Sequence, residues 1–99
     1  MTAEILVIGT HPGILATILR LLNNRAGWCA TGVASATEAI TIFNTKAFNI
    51  VLLGAGIDDP EAQALRAALA EMKPGIPCIN HYGGGSGLLF AEIMEALEA

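Results

Sequence analysis

The sequence predicts an α/β fold: a three-layer, doubly wound parallel sheet of about four strands with helices on both faces. Three observations carry this. Short apolar runs alternate four times with helical apolar patterns along the chain, as βα units joined by right-handed crossovers do. The run Ile50-Val-Leu-Leu53 is apolar at every position, which marks a strand covered on both faces. The connections are short and no linker interrupts them, so residues 1–99 read as a single domain.

The first strand, Glu4 to Ile8, organises the rest. It stops abruptly at Gly9-Thr-His-Pro-Gly13, and a helix follows from about Ile14 to Asn24. Its apolar residues Ile14, Leu15, Ile18, Leu19, Leu21 and Leu22 form a wide face. Asn23-Asn-Arg-Ala-Gly27 ends it. Trp28 to Ala34 is the second strand, with Gly32 a weak point. Ser35-Ala-Thr-Glu38 matches a capping box, in which the hydroxyl accepts from the Glu38 N–H while the carboxylate reaches back. The helix it opens runs to about Asn44 and buries Ala36, Ala39, Ile40 and Phe43.

Phe48 to Leu53 is the third strand. After the loop Gly54-Ala-Gly-Ile57, Asp58 or Asp59 caps a helix whose first turn tolerates Pro60. Ala64, Leu65, Ala68, Leu69 and Met72 form its apolar stripe, and Lys73-Pro-Gly75 ends it. Ile76 to Asn80 is a short fourth strand. His81-Tyr-Gly-Gly-Gly-Ser86 leads into a last helix, Gly87 to about Glu98, with Leu89, Phe90, Ile93, Met94 and Leu97 as its stripe and Leu88 off it.

Composition narrows the function classes. Net charge is −4 and the five Lys and Arg residues are scattered, which argues against nucleic acid as a partner. No apolar run reaches the roughly 18 residues of a membrane span. The opening residues lack the basic start and long apolar core of a signal peptide, so a cytoplasmic location is expected. Cys29 and Cys78 stand alone without CxxC spacing and read as small buried hydrophobes. The hydrophobic fraction is 54% against 14% charged. Such a surplus in a small domain points to an interface, most simply a homodimer. A sheet covered on both faces is the alternative.

Several stretches resemble the receiver domain of bacterial response regulators, the flavodoxin-like phosphoacceptor module. Ile5-Leu-Val-Ile-Gly-Thr-His-Pro12 is similar to its opening strand, Ser35-Ala-Thr-Glu-Ala-Ile40 to the start of its second helix, Ala47-Phe-Asn-Ile-Val-Leu-Leu53 to its third strand, and Gly75-Ile-Pro-Cys-Ile79 to its fourth. The resemblance covers most of the chain and implies a strand order of 2-1-3-4. It breaks at the functional positions. The acidic pair that binds magnesium in the family is matched by Gly9 and Thr10, the phosphoacceptor aspartate by Gly54, and the signalling Ser or Thr by about Tyr82. The family's fourth helix and fifth strand have no room before the last helix, which resembles its fifth. A carboxylate nucleophile and a charge-neutralising metal are what phosphoryl transfer needs, and neither is supplied. The resemblance therefore implies a shortened, degenerate receiver-like domain.

The expected function is a non-catalytic interaction or signalling module that accepts no phosphate and works by dimerisation or by docking on a protein partner. The loss of a fifth strand leaves the fourth as a sheet edge, partly guarded by Pro77. The alternative is a binding site for a small anion or nucleotide at the rim where the strands end, built from Gly9, Thr10, His11, Gly54, Gly56, Gly83, Gly84, Gly85 and Ser86. His11, His81 and Asp58 could ligate a metal by residue type, and Thr10, His11 and Asp58 could form a nucleophile–base arrangement. Nothing in their spacing demands either. No catalytic residue, metal or cofactor is expected.

Overall fold

The computed structural model describes residues 3–54, 56–80 and 86–98, without the side chains of 86–88 and 98. The chain runs β1 (Ala3–Ile8), α1 (Pro12–Asn23), β2 (Trp28–Val33), α2 (Ala36–Phe43), β3 (Ile50–Leu53), α3 (Asp59–Met72), β4 (Cys78–Asn80) and α4 (Ser86–Glu98). The four strands form one parallel sheet in the order β2-β1-β3-β4. The predicted architecture and strand order hold.

The two central strands explain the apolar surplus. Strand side chains alternate between faces, and here both faces are buried. Leu6, Ile8, Val51 and Leu53 pack under α2 and α3, against Ala39, Phe43, Ala62, Leu65 and Leu69. Ile5, Val7, Ile50 and Leu52 pack under α1 and α4, against Ile18, Leu22, Leu89 and Ile93. Among the described residues only Ile14, Ile40 and Met94 are large hydrophobics left exposed, at 46%, 37% and 41%. Each was expected on a buried stripe. The apolar stripe on these helices is wider than the arc that meets the sheet, so its outermost members face outward. On α3 the expected Leu65 and Leu69 are buried, but Ala62 is buried in place of Ala64, which is exposed.

Local chemistry sets the helix starts. His11 caps α1, its Nδ1 accepting from the Ile14 N–H at 3.2 Å, so the helix begins at Pro12 and not at Ile14. The Ser35 hydroxyl accepts from the Glu38 N–H at 3.2 Å, and the Glu38 carboxylate accepts from the Ala34 N–H at 2.9 Å. Asp58, not Asp59, caps α3, accepting from the Glu61 N–H at 2.9 Å. Strands β3 and β4 are shorter than expected. Phe48 is fully buried and stacks on Phe43 with centroids 5.8 Å apart. Asn49 then braces Glu4 twice: its side chain accepts the Glu4 N–H and its own N–H donates to the Glu4 carbonyl, each at 2.8 Å. Ile76 belongs to the turn, its N–H donating to the Lys73 carbonyl at 3.2 Å. Cys29 and Cys78 are half-buried rather than buried.

The last helix answers a topological question. A right-handed crossover from β4 to a further strand on the same side would lay its helix on the α2/α3 face. Helix α4 instead shares the opposite face with α1. Arg25 fixes it there: its guanidinium lies 4.7 Å from the Trp28 ring centroid and 5.3 Å from that of Phe90, and Nη2 donates to Met94 Sδ at 3.2 Å. Trp28 and Phe90 meet edge to face at 5.9 Å.

Candidate functional site

The ends of β1 and β3 form the topological switch point, where ligands of such sheets collect. The structure brings Gly9, Thr10, His11, Gly54 and Gly56 together there, and among these described residues little space is left between them. Gly9 and Gly54 are both buried. The Gly9 N–H donates to the Val33 carbonyl at 3.0 Å, and the Gly54 N–H to the Ile8 carbonyl at 2.7 Å. Two of the donors expected to meet an anion are thus spent on the sheet. A Cβ at position 54 would stand 2.9 Å from the Ile8 carbonyl oxygen, backbone that cannot swing away. Gly56 takes φ +96°, open to glycine and costly for other residues, and the Thr10 side chain fills the place its Cβ would take. Among the described residues a gap of about 10 Å³ lies here, bordered by Gly9, His11 and Gly54 and by apolar Val7, Ile14 and Leu15. It has about the volume of one water molecule and no carboxylate on its wall.

The other rim candidates separate. His11 and Asp58 each cap their own helix. Among the described residues no three His, Cys, Asp or Glu side chains gather as metal ligands. His81, Tyr82, Gly83, Gly84 and Gly85 lie outside the described residues. Ser86 opens α4, but its side chain lies outside them too.

A second feature lies at the edge of the sheet. The Val51 N–H donates to the Pro77 carbonyl at 2.9 Å, and Leu52 stands opposite Ile79. In a parallel ladder alternate residues bond to one neighbour. Pro77 and Ile79 therefore turn their backbone groups toward β3, while Cys78 and Asn80 turn theirs outward. Pro77, expected as a guard, faces inward and guards nothing. That task falls to Arg66 of α3, which the sequence did not single out. Its Nη1 donates to the outward Cys78 carbonyl and its Nη2 to Asn80 Oδ1, both at 2.8 Å. Burial raises the Cys78 thiol pKa above its ordinary value, and the nearby Arg66 charge partly offsets the rise. Among the described residues no strand pairs with the outer side of β4. On the α4 side of this edge an open groove of about 350 Å³ is bordered by Ile79, Glu92, Glu95 and Ala96. A hollow of about 260 Å³ continues from Ala96 past Leu97 to the turn at residues 73–77.

No protein-family model matches the sequence, and a search of curated proteins gave no match. Solved structures do match in shape. A response regulator receiver domain protein (CheY-like) from Methanospirillum hungatei JF-1 superposes with a TM-score of 0.87 at 19% identity, over 99% of this chain and 95% of that one. A signal receiver domain of an HD domain-containing protein from Pseudomonas fluorescens Pf-5 gives 0.83 at 18% identity, over 98% and 88%. A response regulator receiver protein from Sinorhizobium medicae WSM419 gives 0.83 at 18%, over 99% and 96%. The chain therefore has the CheY-like, flavodoxin-like fold of receiver domains. Within that fold α4, lying beside α1, stands where the resembled family has its fifth helix.

Proposed function

We propose that this chain is a receiver-like interaction module of a signalling system that does not accept phosphate and acts by docking on a protein partner or by self-association. One observation carries the reading most directly. The position matching the phosphoacceptor is Gly54, and the Ile8 carbonyl stands 2.9 Å from where a side chain would begin. Gly9 and Thr10 at the strand end bring no carboxylate for a divalent cation. The likeness to proteins described as signal receivers favours signalling over an unrelated role, by fold analogy. The anion-site alternative is less supported, since the Gly9 and Gly54 N–H groups are already bonded within the sheet.

Incubation with acetyl phosphate and magnesium, read by intact mass, tests the reading. The expected result is an unchanged mass. A stable adduct of one phosphoryl group would overturn it.

A further inference from the structure

We infer that Asn23 is a latch on the outer edge of β2: its side-chain amide stands in for a neighbouring strand and keeps that edge from pairing with a second copy of this chain. The latch closes one route to self-association that the docking reading leaves open, and it holds whether or not the chain accepts phosphate.

Strand β2 lies at the edge of the sheet opposite β4. The Gly9 N–H donates to the Val33 carbonyl at 3.0 Å and the Ala3 N–H to the Gly27 carbonyl at 2.7 Å. Alternate residues of a parallel strand bond to one neighbour. Cys29, Thr31 and Val33 therefore turn their backbone groups toward β1, while Trp28, Ala30 and Gly32 turn theirs outward. Ala30 is the middle of that outward row. Asn23, the last residue of α1, takes both of its groups: Oδ1 accepts from the Ala30 N–H at 2.8 Å, and Nδ2 donates to the Ala30 carbonyl at 3.2 Å. The chain reverses between the two residues through Gly27, whose φ is +86°. On either side of Ala30 the chain answers itself again. The Trp28 N–H donates to the Arg25 carbonyl at 3.2 Å, and the Ala34 N–H to the Glu38 carboxylate at 2.9 Å.

The side chains of β2 itself offer no such protection. Strand edges are ordinarily blunted by charged residues or proline within the strand. Trp28-Cys-Ala-Thr-Gly-Val33 has neither, and its aromatic and β-branched residues suit strand pairing. Lys46 reaches the strand from outside it, with Nζ 3.5 Å from Thr31 Oγ1. A second chain would bond to every second residue of the edge, so occupying both groups of Ala30 interrupts that ladder at its centre.

Amide exchange at Ala30, with sedimentation velocity beside it, tests the latch on the wild type, Asn23→Ala and Asn23→Asp. In the wild type the Ala30 amide is expected to exchange at one rate from dilute to concentrated protein. In Asn23→Ala it should exchange at least about tenfold faster in dilute solution. It should slow again as the variant is concentrated, with a heavier species in sedimentation, because the freed edge pairs with a second copy. Asn23→Asp keeps the acceptor for the Ala30 N–H and loses the donor to the carbonyl. Its Ala30 amide should stay within about threefold of the wild-type rate in dilute solution, which decides the matter if Asn23→Ala does not fold. Exchange at Ile18, inside α1, should stay at the wild-type rate in both variants. An unaltered Ala30 rate in Asn23→Ala, or one that ignores protein concentration, would overturn the proposal. So would equal acceleration at Ile18 and Ala30, a tenfold rise in Asn23→Asp, or a wild-type Ala30 amide that slows with concentration.

Discussion

At the scale of single residues, Arg66 takes on the task that Pro77 was expected to perform. The free edge of β4 has Pro77 in its sequence, yet the strand's phase turns Pro77 inward and leaves Arg66 to cover the outward carbonyl. That phase depends on which residue of β4 meets Leu52, a tertiary fact with no local signature. The Arg66 contact also places a charge beside Cys78. Burial is the larger influence and pushes the thiol pKa up from 9.0; the guanidinium pulls it back. The folded thiol thus holds its proton more tightly than the unfolded one. Its contribution to stability is complete below the unfolded value and is lost as pH rises through the folded one. Urea midpoints taken from pH 8 to pH 10.5 should fall more steeply for the wild type than for Cys78→Ser. Parallel curves would contradict the shift.

At the scale of elements, the helix starts were the most legible part of the sequence and the helix faces the least. Ser35 with Glu38 and the Asp58-Asp59-Pro60 run carry recognisable capping chemistry, because a short side chain with an acceptor oxygen can satisfy backbone N–H groups locally. The choice between Asp58 and Asp59 is settled by the 2.9 Å bond from the Glu61 N–H to Asp58. Asp58→Ala should cost about 0.5–2 kcal/mol in chemical denaturation. Asp59→Ala should cost less, because the loss is then confined to a first-turn charge near the helix dipole, about 0.3–1 kcal/mol. The reverse order would move the cap. His11 went unread as a cap because histidine is not among the usual capping residues, and its Nδ1 reaches the Ile14 N–H only in the turn that Pro12 imposes. The exposed Ile14, Ile40 and Met94 were misplaced for a different reason. In helices this rich in apolar residues, periodicity no longer marks where the buried arc ends.

At the scale of the whole molecule, the sheet order and the two-sided core were legible, and the state of the rim was not. The apolar surplus that pointed toward a homodimer is largely taken up by two clusters, one on each face of β1 and β3. Glycine at the chemical positions could be read directly, but not that the Ile8 carbonyl and the Thr10 side chain fill the space above Gly54 and Gly56. Helix α4 lies beside α1, held by Arg25 between Trp28 and Phe90, and among the described residues the sheet ends at β4. The receiver-type fold is kept, while Gly54 stands where the resembled family has its phosphoacceptor. A strand-end rim with glycine at its chemical positions is expected to take neither cation nor phosphoryl group. Amide chemical shifts of Gly9, Thr10 and Gly54, followed by NMR as magnesium and then beryllofluoride are added, test it most directly. These three signals are expected to stay in place through the titration. Saturable shifts at Gly9 and Gly54 would contradict it.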